Sequence, residues 1–305
     1  MGPLESNMLR IGVPSKGRLS EITSTLLAAA GLKYRRQNRN LFARVADLPI
    51  DIIFLRTDDI PTLCAEGAID MGITGSDLVA ESGGDVVTRM PLGVGRCRLA
   101  VCVSEDSPVQ SVADLSGATI ATSFPFVTAE HLAKHDAKAH LVSLAGSVEV
   151  MISLGIADAI VDLVETGSTL AANRLRILDT IGHYETVLIT RPADANERQN
   201  DPVANTDRPR ADRDAVADRV IRRLEGVVLA RDYSLLEYNV PRAKLTEAES
   251  ITPGYHSPTV GTLEDPDWAS VRVMVRRGDV IDAMERLERV GAGAIFETAI
   301  TNCRL

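Results

Sequence analysis

Short apolar runs alternate with amphipathic segments along most of this chain, and that alternation limits the possible fold more than any other feature. Residues 9–13 and 51–55 are rich in branched apolar side chains and predict buried parallel strands, and residues 71–74 predict a third strand. Helical patterns follow at residues 19–30 and 60–66. Strands and helices in alternation predict an α/β fold with a mainly parallel sheet.

The same pattern starts again near residue 96 and predicts a second α/β lobe. Residues 184–190 form a further strand, which we expect to cross back into the first sheet. Two lobes joined by crossing strands would enclose a hinged cleft with sites at the facing strand ends. The expected domains are lobe I at 8–95 and 183–225, with a solvated insert at 191–214, and lobe II at 96–182.

The last 80 residues predict a separate small domain at 226–305. Strands are expected at 227–239, 259–263, 268–275 and 294–300, with two helices between them. The order βαββαβ is that of a ferredoxin-like α+β sandwich. Appended to an enzyme, such a module often regulates or oligomerises it, an expectation by analogy of fold.

Charge and composition exclude several classes of function. The net charge is −9 and only 4% of residues are aromatic, which argues against a nucleic-acid surface. Four cysteines without paired spacing predict buried thiols in a reducing compartment. No apolar run approaches the roughly 18 residues of a membrane span, so we expect a cytoplasmic protein with no membrane contact.

The stretch 158–170 predicts a phosphate-binding turn. A strand runs into a tight glycine turn and then a helix start, which would direct several backbone N–H groups to one point. Its candidate ligand-binding residues are Asp162, Glu165, Thr166, Gly167, Ser168 and Thr169. The alternative is an ordinary strand–turn–helix with a hydroxyl cap, because the Lys of a Walker A motif is missing.

Three basic residues are placed where an anionic ligand could bind. Lys16 and Arg18 lie in a loop at a helix N-terminus, where a cation opposes the helix dipole. Arg56 follows a strand, at the edge where open α/β sheets hold ligands. The alternative is that all three are solvated.

The sequence also contains three histidines on or beside one helix. We expect them to be solvated rather than to form a catalytic set: His131, His135 and His140.

Several motifs together resemble the ATP phosphoribosyltransferase family, over roughly residues 9–305 apart from the insert. The stretch from Glu149 through Gly155 to Leu170 is similar to the whole family signature. The other matching segments are residues 15–19, 59–61, 72–77 and 144–149, and, for the long form with a regulatory domain, residues 251–254, 257–259 and 303–305.

This resemblance implies a two-lobed, periplasmic-binding-protein-like catalytic core and a specific reaction. ATP and phosphoribosyl pyrophosphate (PRPP) would give N1-(5-phosphoribosyl)-ATP and pyrophosphate, with Mg²⁺, as the first step of histidine biosynthesis. It also implies feedback inhibition by histidine and a homo-oligomer that interconverts between dimer and hexamer.

The resemblance also implies residue roles. Lys16, Arg18 and Arg56 become charge partners of pyrophosphate or triphosphate. The turn at 166–169 becomes the cradle of the 5-phosphate, with Asp162 and Glu165 near the ribose. The remaining implied residues are Ser147 and Glu149 in the cleft, and Glu237, Ser257, Thr259 and Thr298 for histidine.

The chain departs from the family pattern at two places. Ser123 and Phe124 stand where the family usually has Lys-Tyr, and Glu237 stands where it often has Asp.

Two other functions remain as alternatives. A solute-binding module would share the crossed lobes but release no pyrophosphate. A phosphoribosyltransferase for a free base would typically carry two adjacent acids before its Thr-Gly loop, whereas Asp162 and Glu165 are separated.

Overall fold

A six-stranded sheet, a five-stranded sheet and a four-stranded sheet organise the computed structural model, which describes residues 8–36, 40–192 and 210–304. The chain divides into two compact units. One contains the residues up to Thr25 and Lys33–Ala217, and the other contains Leu26–Leu32 and Asp218–Leu305. Both larger sheets belong to the first unit. The domain boundaries given above remain predictions.

The first sheet is mixed, with a parallel centre. Its strands are β1 (Leu9–Pro14), β2 (Phe42–Arg44), β3 (Ile50–Leu55), β4 (Met71–Gly75), β5 (Val87–Pro91) and β11 (Thr186–Thr190), in the order β2-β3-β1-β4-β11-β5. Its helices are α1 (Arg18–Ala29), α2 (Asp59–Ala65) and α3 (Ser76–Ser82). The central strands β3, β1 and β4 are parallel, and their side chains are almost entirely buried.

The second sheet builds lobe II. Its strands are β6 (Cys97–Ser104), β7 (Thr119–Thr122), β8 (His140–Ser143), β9 (Ala159–Val164) and β10 (Leu175–Tyr184), in the order β10-β6-β9-β7-β8. Its helices are α4 (Pro125–Lys134), α5 (Glu149–Ser153) and α6 (Ser168–Ala172). Strand β9 is parallel to β7 but antiparallel to β6.

Two chain segments cross between the sheets, as the sequence predicted. Only Glu185 separates β10 from β11, and β11 pairs antiparallel with β4 of the first sheet. The other crossing lies between β5 and β6. The two crossings are bonded together, since Leu92 N donates to Thr186 O and Thr186 N donates to Val94 O, both at 2.9 Å.

The C-terminal sheet confirms the ferredoxin-like prediction. Helix α7 (Arg210–Arg231) precedes β12 (Tyr233–Pro241), α8 (Leu245–Ile251), β13 (Thr259–Thr262), β14 (Trp268–Arg276), α9 (Val280–Arg289) and β15 (Gly293–Ala299). The antiparallel order is β13-β14-β12-β15. One face of the sheet packs on the helices through Leu236, Tyr238 and Val273. No helix among the described residues has both the length and the apolar character that crossing a bilayer requires.

Some expected elements were wrong. Residues 227–231 end helix α7 instead of starting a strand, because Val220, Leu224, Val227 and Ala230 form one buried helical stripe. This helix begins at Arg210, inside the insert expected to be loop to residue 214. There Arg213 Nη1 lies 3.7 Å from Asp70 Oδ1, an ion pair between residues far apart in sequence. Residues 193–209 of the expected insert lie outside the described residues.

Candidate functional site

Three strands of the first sheet end side by side, and their following loops form one wall of the candidate site. Pro14 and Leu55 are in register at the ends of β1 and β3, and Ser15 N donates to Leu55 O at 2.7 Å. Thr74 Oγ1, on β4, donates to Thr57 O at 3.0 Å. The loops after β1, β3 and β4 are therefore neighbours at the carboxyl edge of the sheet.

Two of the three predicted cations, Lys16 and Arg56, lie in these loops, and Arg18 is the first residue of α1. Arg56 Nη2 is 3.2 Å from Asp58 Oδ2, and both side chains are mostly exposed. Lys16 is exposed and forms no hydrogen bond or ion pair with any residue that the structure describes. An exposed ion pair contributes at most about 1 kcal/mol, so a polyanionic ligand can compete for Arg56 as well as for Lys16.

Arg18 reaches from lobe I to the glycine turn of lobe II. Its Nη1 donates to Glu165 Oε2 at 2.6 Å, across 147 positions of sequence. The guanidinium is 72% exposed and the carboxylate 49%, so water screens this bridge. The structure thus brings together two residues that the sequence could assign only to separate motifs.

A cavity of about 260 Å³ lies between the lobes beneath this bridge. Apolar side chains from Leu19, Ile22, Leu78 and Leu163 form much of its lining. The other lining residues are Arg18, Thr57, Gly75, Asp77, Gly95, Cys97, Glu165 and Thr186. The cavity therefore has a mostly apolar lining with a few charged side chains, a usual composition for a small-molecule site.

Asp77 is the buried charge of this cavity. Its side chain is 6% exposed, and burial raises the pKa of its carboxyl, against hydrogen bonds from the backbone N–H of Asp77 and Leu78. Gly75 makes room for it, since a Cβ there would stand 2.0 Å from Asp77 Oδ1. Burial, and then the charges of Asp77 and Glu165, raise the pKa of the Cys97 thiol to about 11.

The predicted phosphate turn has the geometry of a tight cradle. Gly167 caps α6 with φ of +82°, a conformation that favours glycine. Thr166 Oγ1 and Ser168 Oγ are 3.1 Å apart and share a hydrogen bond, so two hydroxyls stand together at the start of α6. Thr169 is exposed in the first turn. Because α6 has only five residues, the local N–H and hydroxyl donors matter more than a long helix dipole.

Asp162 and Glu149 form an acidic pair on one side of the turn. Burial and then the charge of Glu149 raise the pKa of the Asp162 carboxyl, while Leu163 N donates to its Oδ1 at 2.8 Å. Glu149 begins α5, and Ser147 precedes it with φ of +52°. Glu149 therefore lies near Asp162 in lobe II, and Ser147 stands two residues before Glu149.

The sequence did not indicate several cavity residues. Asp77 lies in the first turn of α3, which Gly75 caps. Gly95 and Thr186 come from the two crossing segments, and Cys97 starts β6. The available signal for Asp77 was its place just after β4, at the ligand-binding edge of the sheet.

The segment that contains Ser123 and Phe124 is held by packing within lobe II. Phe124 is 4% exposed and packs in the core of this lobe, and helix α4 already begins at Pro125. The expected solvated position of His131 is wrong, since His131 is 8% exposed and its Nε2 lies 3.0 Å from Asp179 Oδ2. The reason is β10, a strand that the sequence did not predict. His140 is exposed on β8.

The residues assigned to histidine binding lie around the open face of the C-terminal sheet. Arg272 Nε, on β14, donates to Glu237 Oε1, on β12, at 2.6 Å. Thr259 is in register with Arg272, and Thr298 is in register with Leu235, two residues before Glu237. These side chains share the face opposite the buried Leu236 and Tyr238. Ser257 lies two residues before β13.

Comparison with known proteins matches this architecture. The family model described as ATP phosphoribosyltransferase matches residues 56–208, and the model of its C-terminal domain matches residues 230–302. An ATP phosphoribosyltransferase of Rhodopirellula baltica is 65% identical over 98% of this chain and 94% of its own length. One from Mycobacterium tuberculosis is 37% identical over 97% of this chain and 100% of its own.

A solved structure is similar as well. It is described as the ATP phosphoribosyl transferase (HisG:HisZ) complex from Thermotoga maritima. The similar chain is 26% identical, with a TM-score of 0.59, and the match covers 72% of this chain and 99% of that one.

Proposed function

This chain belongs to the ATP phosphoribosyltransferase family, and we propose that its reaction takes place in the cavity between lobes I and II. The enzyme transfers the 5-phosphoribosyl group of PRPP to N1 of ATP, which begins histidine biosynthesis. The observation that carries the location is the Arg18–Glu165 bridge, because it joins lobe I to the glycine turn of lobe II and both of its residues line the cavity.

The turn at Thr166–Thr169 binds the 5-phosphate of PRPP. Its support is the positive φ of Gly167 and the convergent hydroxyls of Thr166 and Ser168. Phosphate oxygens would accept hydrogen bonds from the hydroxyls and from the backbone N–H groups of the first turn of α6. Asp162 and Glu165, which Leu163 and Val164 separate, would contact the ribose hydroxyls.

Lys16, Arg18 and Arg56 bind the departing pyrophosphate and the triphosphate of ATP. All three are exposed in or beside neighbouring loops, and Arg18 and Arg56 hold only weak, exposed ion pairs. Arg18 would exchange Glu165 for a phosphate when the substrates enter. That exchange would release the Glu165 carboxylate for the ribose.

The acidic pair Glu149 and Asp162 fits Mg²⁺. Mg²⁺ is usually held by one or two carboxylates together with substrate phosphates, and these two carboxylates are close enough for the charge of one to raise the pKa of the other. When bound, the ion would neutralise charge on the pyrophosphate leaving group.

The adenine of ATP occupies the apolar part of the cavity. Leu19, Ile22 and Leu78 would contact the base, and the buried carboxyl of Asp77 is placed to accept a hydrogen bond from its exocyclic amine. N1 of adenine carries its own lone pair, so the displacement requires no nucleophilic side chain and no strong base. Holding the two substrates in line can supply roughly 7–11 kcal/mol of the barrier.

Histidine acts as the feedback inhibitor at the open face of the C-terminal sheet. The Glu237–Arg272 pair supports this, because an amino acid carries the complementary charges. The carboxylate of histidine would bind Arg272 and its amino group Glu237, with the hydroxyls of Ser257, Thr259 and Thr298 toward the imidazole. Glu237 reaches farther than the Asp often found in the family.

Copies of this chain associate, as dimers that assemble to hexamers. Val150, Leu154 and Ile156, at and after α5, are between 50% and 64% exposed, which is costly for side chains of this size. Light scattering across a range of concentrations should show species of two and six chains. A monomer at all concentrations would contradict the association.

The chain acts in a reducing compartment, the cytoplasm. Cys64 and Cys102 are buried free thiols, and burial raises the pKa of each to about 12, so they stay protonated and unreactive. Cys97 and Cys303 are also free and partly buried.

An assay of pyrophosphate release, with identification of the nucleotide product, tests these assignments. ATP, PRPP and Mg²⁺ should give pyrophosphate and N1-(5-phosphoribosyl)-ATP, adenine should not replace ATP, and histidine should inhibit. Lys16→Ala and Arg56→Ala should lower turnover strongly with the fold intact, whereas the exposed Lys138→Ala, outside the site, should not. Near-normal turnover in both variants would refute the cation roles.

A further inference from the structure

A second group of polar side chains lies in lobe II, outside the catalytic cleft. His131 and His135 are one helical turn apart at the end of α4, and Asp179 faces them from β10. The potential ligand atoms of the three residues all lie within 4.8 Å of one another. None of them lines the cavity between the lobes.

We propose that His131, His135 and Asp179 bind one divalent cation of the zinc class, which ties the last turn of α4 to β10. Two imidazoles and one carboxylate form a donor set that suits Zn²⁺, Co²⁺ or Ni²⁺ rather than Mg²⁺. Three protein ligands leave a fourth position for water, and His135 and Asp179 are 43% and 38% exposed, so water and metal can reach the site.

The distances from the two imidazoles to the carboxylate leave room for one ion between the three side chains. Nε2 of His131 is 3.0 Å and Nε2 of His135 is 3.7 Å from the same oxygen, Oδ2 of Asp179. Metal–ligand bonds of about 2.0–2.2 Å place tetrahedral ligand atoms roughly 3.3–3.6 Å apart, between these two values. A hydrogen bond explains the contact of His131 but not the longer one of His135.

The surroundings hold the ligands in place. Thr180 N donates to Oδ1 of Asp179 at 2.9 Å, which orients the carboxylate and leaves Oδ2 toward the imidazoles. Register shifts in β10 on both sides of Asp179 and Thr180 mark bulges, which commonly re-aim a side chain. His135 caps the C-terminus of α4, where the helix dipole favours a cation, although Lys134 opposes it.

Metal titration of the full-length chain, free of any histidine tag and stripped with a chelator, tests this site. Zn²⁺ measured against a chromophoric chelator should bind at one equivalent per chain, and Co²⁺ should give the visible absorption of a tetrahedral ion. His135→Ala should weaken binding at least about tenfold. His140→Ala, an exposed histidine of the same lobe, should bind as the wild type does.

The choice of variants keeps the test decisive. His131 is buried, so its replacement could unfold lobe II, whereas His135 is about half exposed and should be replaceable without loss of the fold. Circular dichroism of His135→Ala checks this point. Less than about a tenth of an equivalent of Zn²⁺ on the wild type, or equal affinity in His135→Ala and the wild type, would overturn the proposal.

Discussion

Glu81 provides a test of how the two lobes are held together. It lies on α3 of lobe I, and its carboxylate accepts hydrogen bonds from Phe126 N at 2.9 Å and Val127 N at 3.0 Å, in the first turn of α4 in lobe II. Pro125 starts α4 and has no N–H, and the residue before it supplies no side-chain cap. Glu81 therefore caps this helix from the other lobe.

Glu81→Ala should lower the free energy of unfolding by about 2 kcal/mol. Loss of a helix cap costs about 0.5–2 kcal/mol, and a hydrogen bond to a charged group contributes about 1.5–3 kcal/mol before screening by water. Because the contact of Phe126 N is exposed and that of Val127 N only partly buried, the sum of the two larger values is too high. Glu81→Gln keeps one acceptor oxygen and should lose about half as much.

Urea unfolding followed by circular dichroism measures this difference. Glu130→Ala is the matched control, because Glu130 is exposed on α4 and should change stability by less than about 0.5 kcal/mol. If Glu81→Ala is no less stable than Glu130→Ala, the carboxylate does not cap α4 and the reasoning is refuted.

Three further predictions concern the turn, the cavity and the C-terminal unit. Gly167→Ala should raise the KM for PRPP and cost about 1–2 kcal/mol of stability, because alanine is strained at φ of +82°; steady-state kinetics and urea unfolding measure both. Asp77 loses its proton less readily when folded, so the wild type should lose stability as pH rises from about 4 through the raised pKa. Asp77→Asn should remove that loss of stability, which unfolding experiments from pH 4 to 8 measure. The same variant should bind ATP more weakly, which titration calorimetry measures. Leu224→Ala, at a fully buried position of α7, should lower the free energy of unfolding by about 2–5 kcal/mol, and a loss below 1 kcal/mol would contradict its core position.

The elements that sequence patterns predicted well are those whose own residues decide the structure. Strands β1 and β3 are rich in branched apolar residues, and most residues of β1, β3 and β4 are buried, which few other structures accommodate. The alternation in β14 likewise matches a strand with one face buried against α9 and the other facing away.

The elements that were missed depend on partners distant in sequence. Strand β10 mixes charged, polar and glycine residues with apolar ones, and its pairing with β6 determines its structure. Residues 227–231 have strong β propensity, but they extend the buried stripe of α7, and burial outweighs propensity. The same limit applied to the site. Arg18 and Glu165 were each assigned to a substrate, while their contact and the burial of Asp77 emerged only from the folded chain.

The most direct test of the catalytic cleft is the kcat/KM for PRPP of the wild type, Arg18→Ala and the control Lys138→Ala, measured by pyrophosphate release with ATP and Mg²⁺. If Arg18 stabilises the departing pyrophosphate, the kcat/KM of Arg18→Ala should be about a hundredfold lower than that of the wild type, which corresponds to about 2.7 kcal/mol of transition-state stabilisation. The kcat/KM of Lys138→Ala should match that of the wild type. An Arg18→Ala enzyme within about twofold of the wild type would contradict a reaction centred beneath the Arg18–Glu165 bridge.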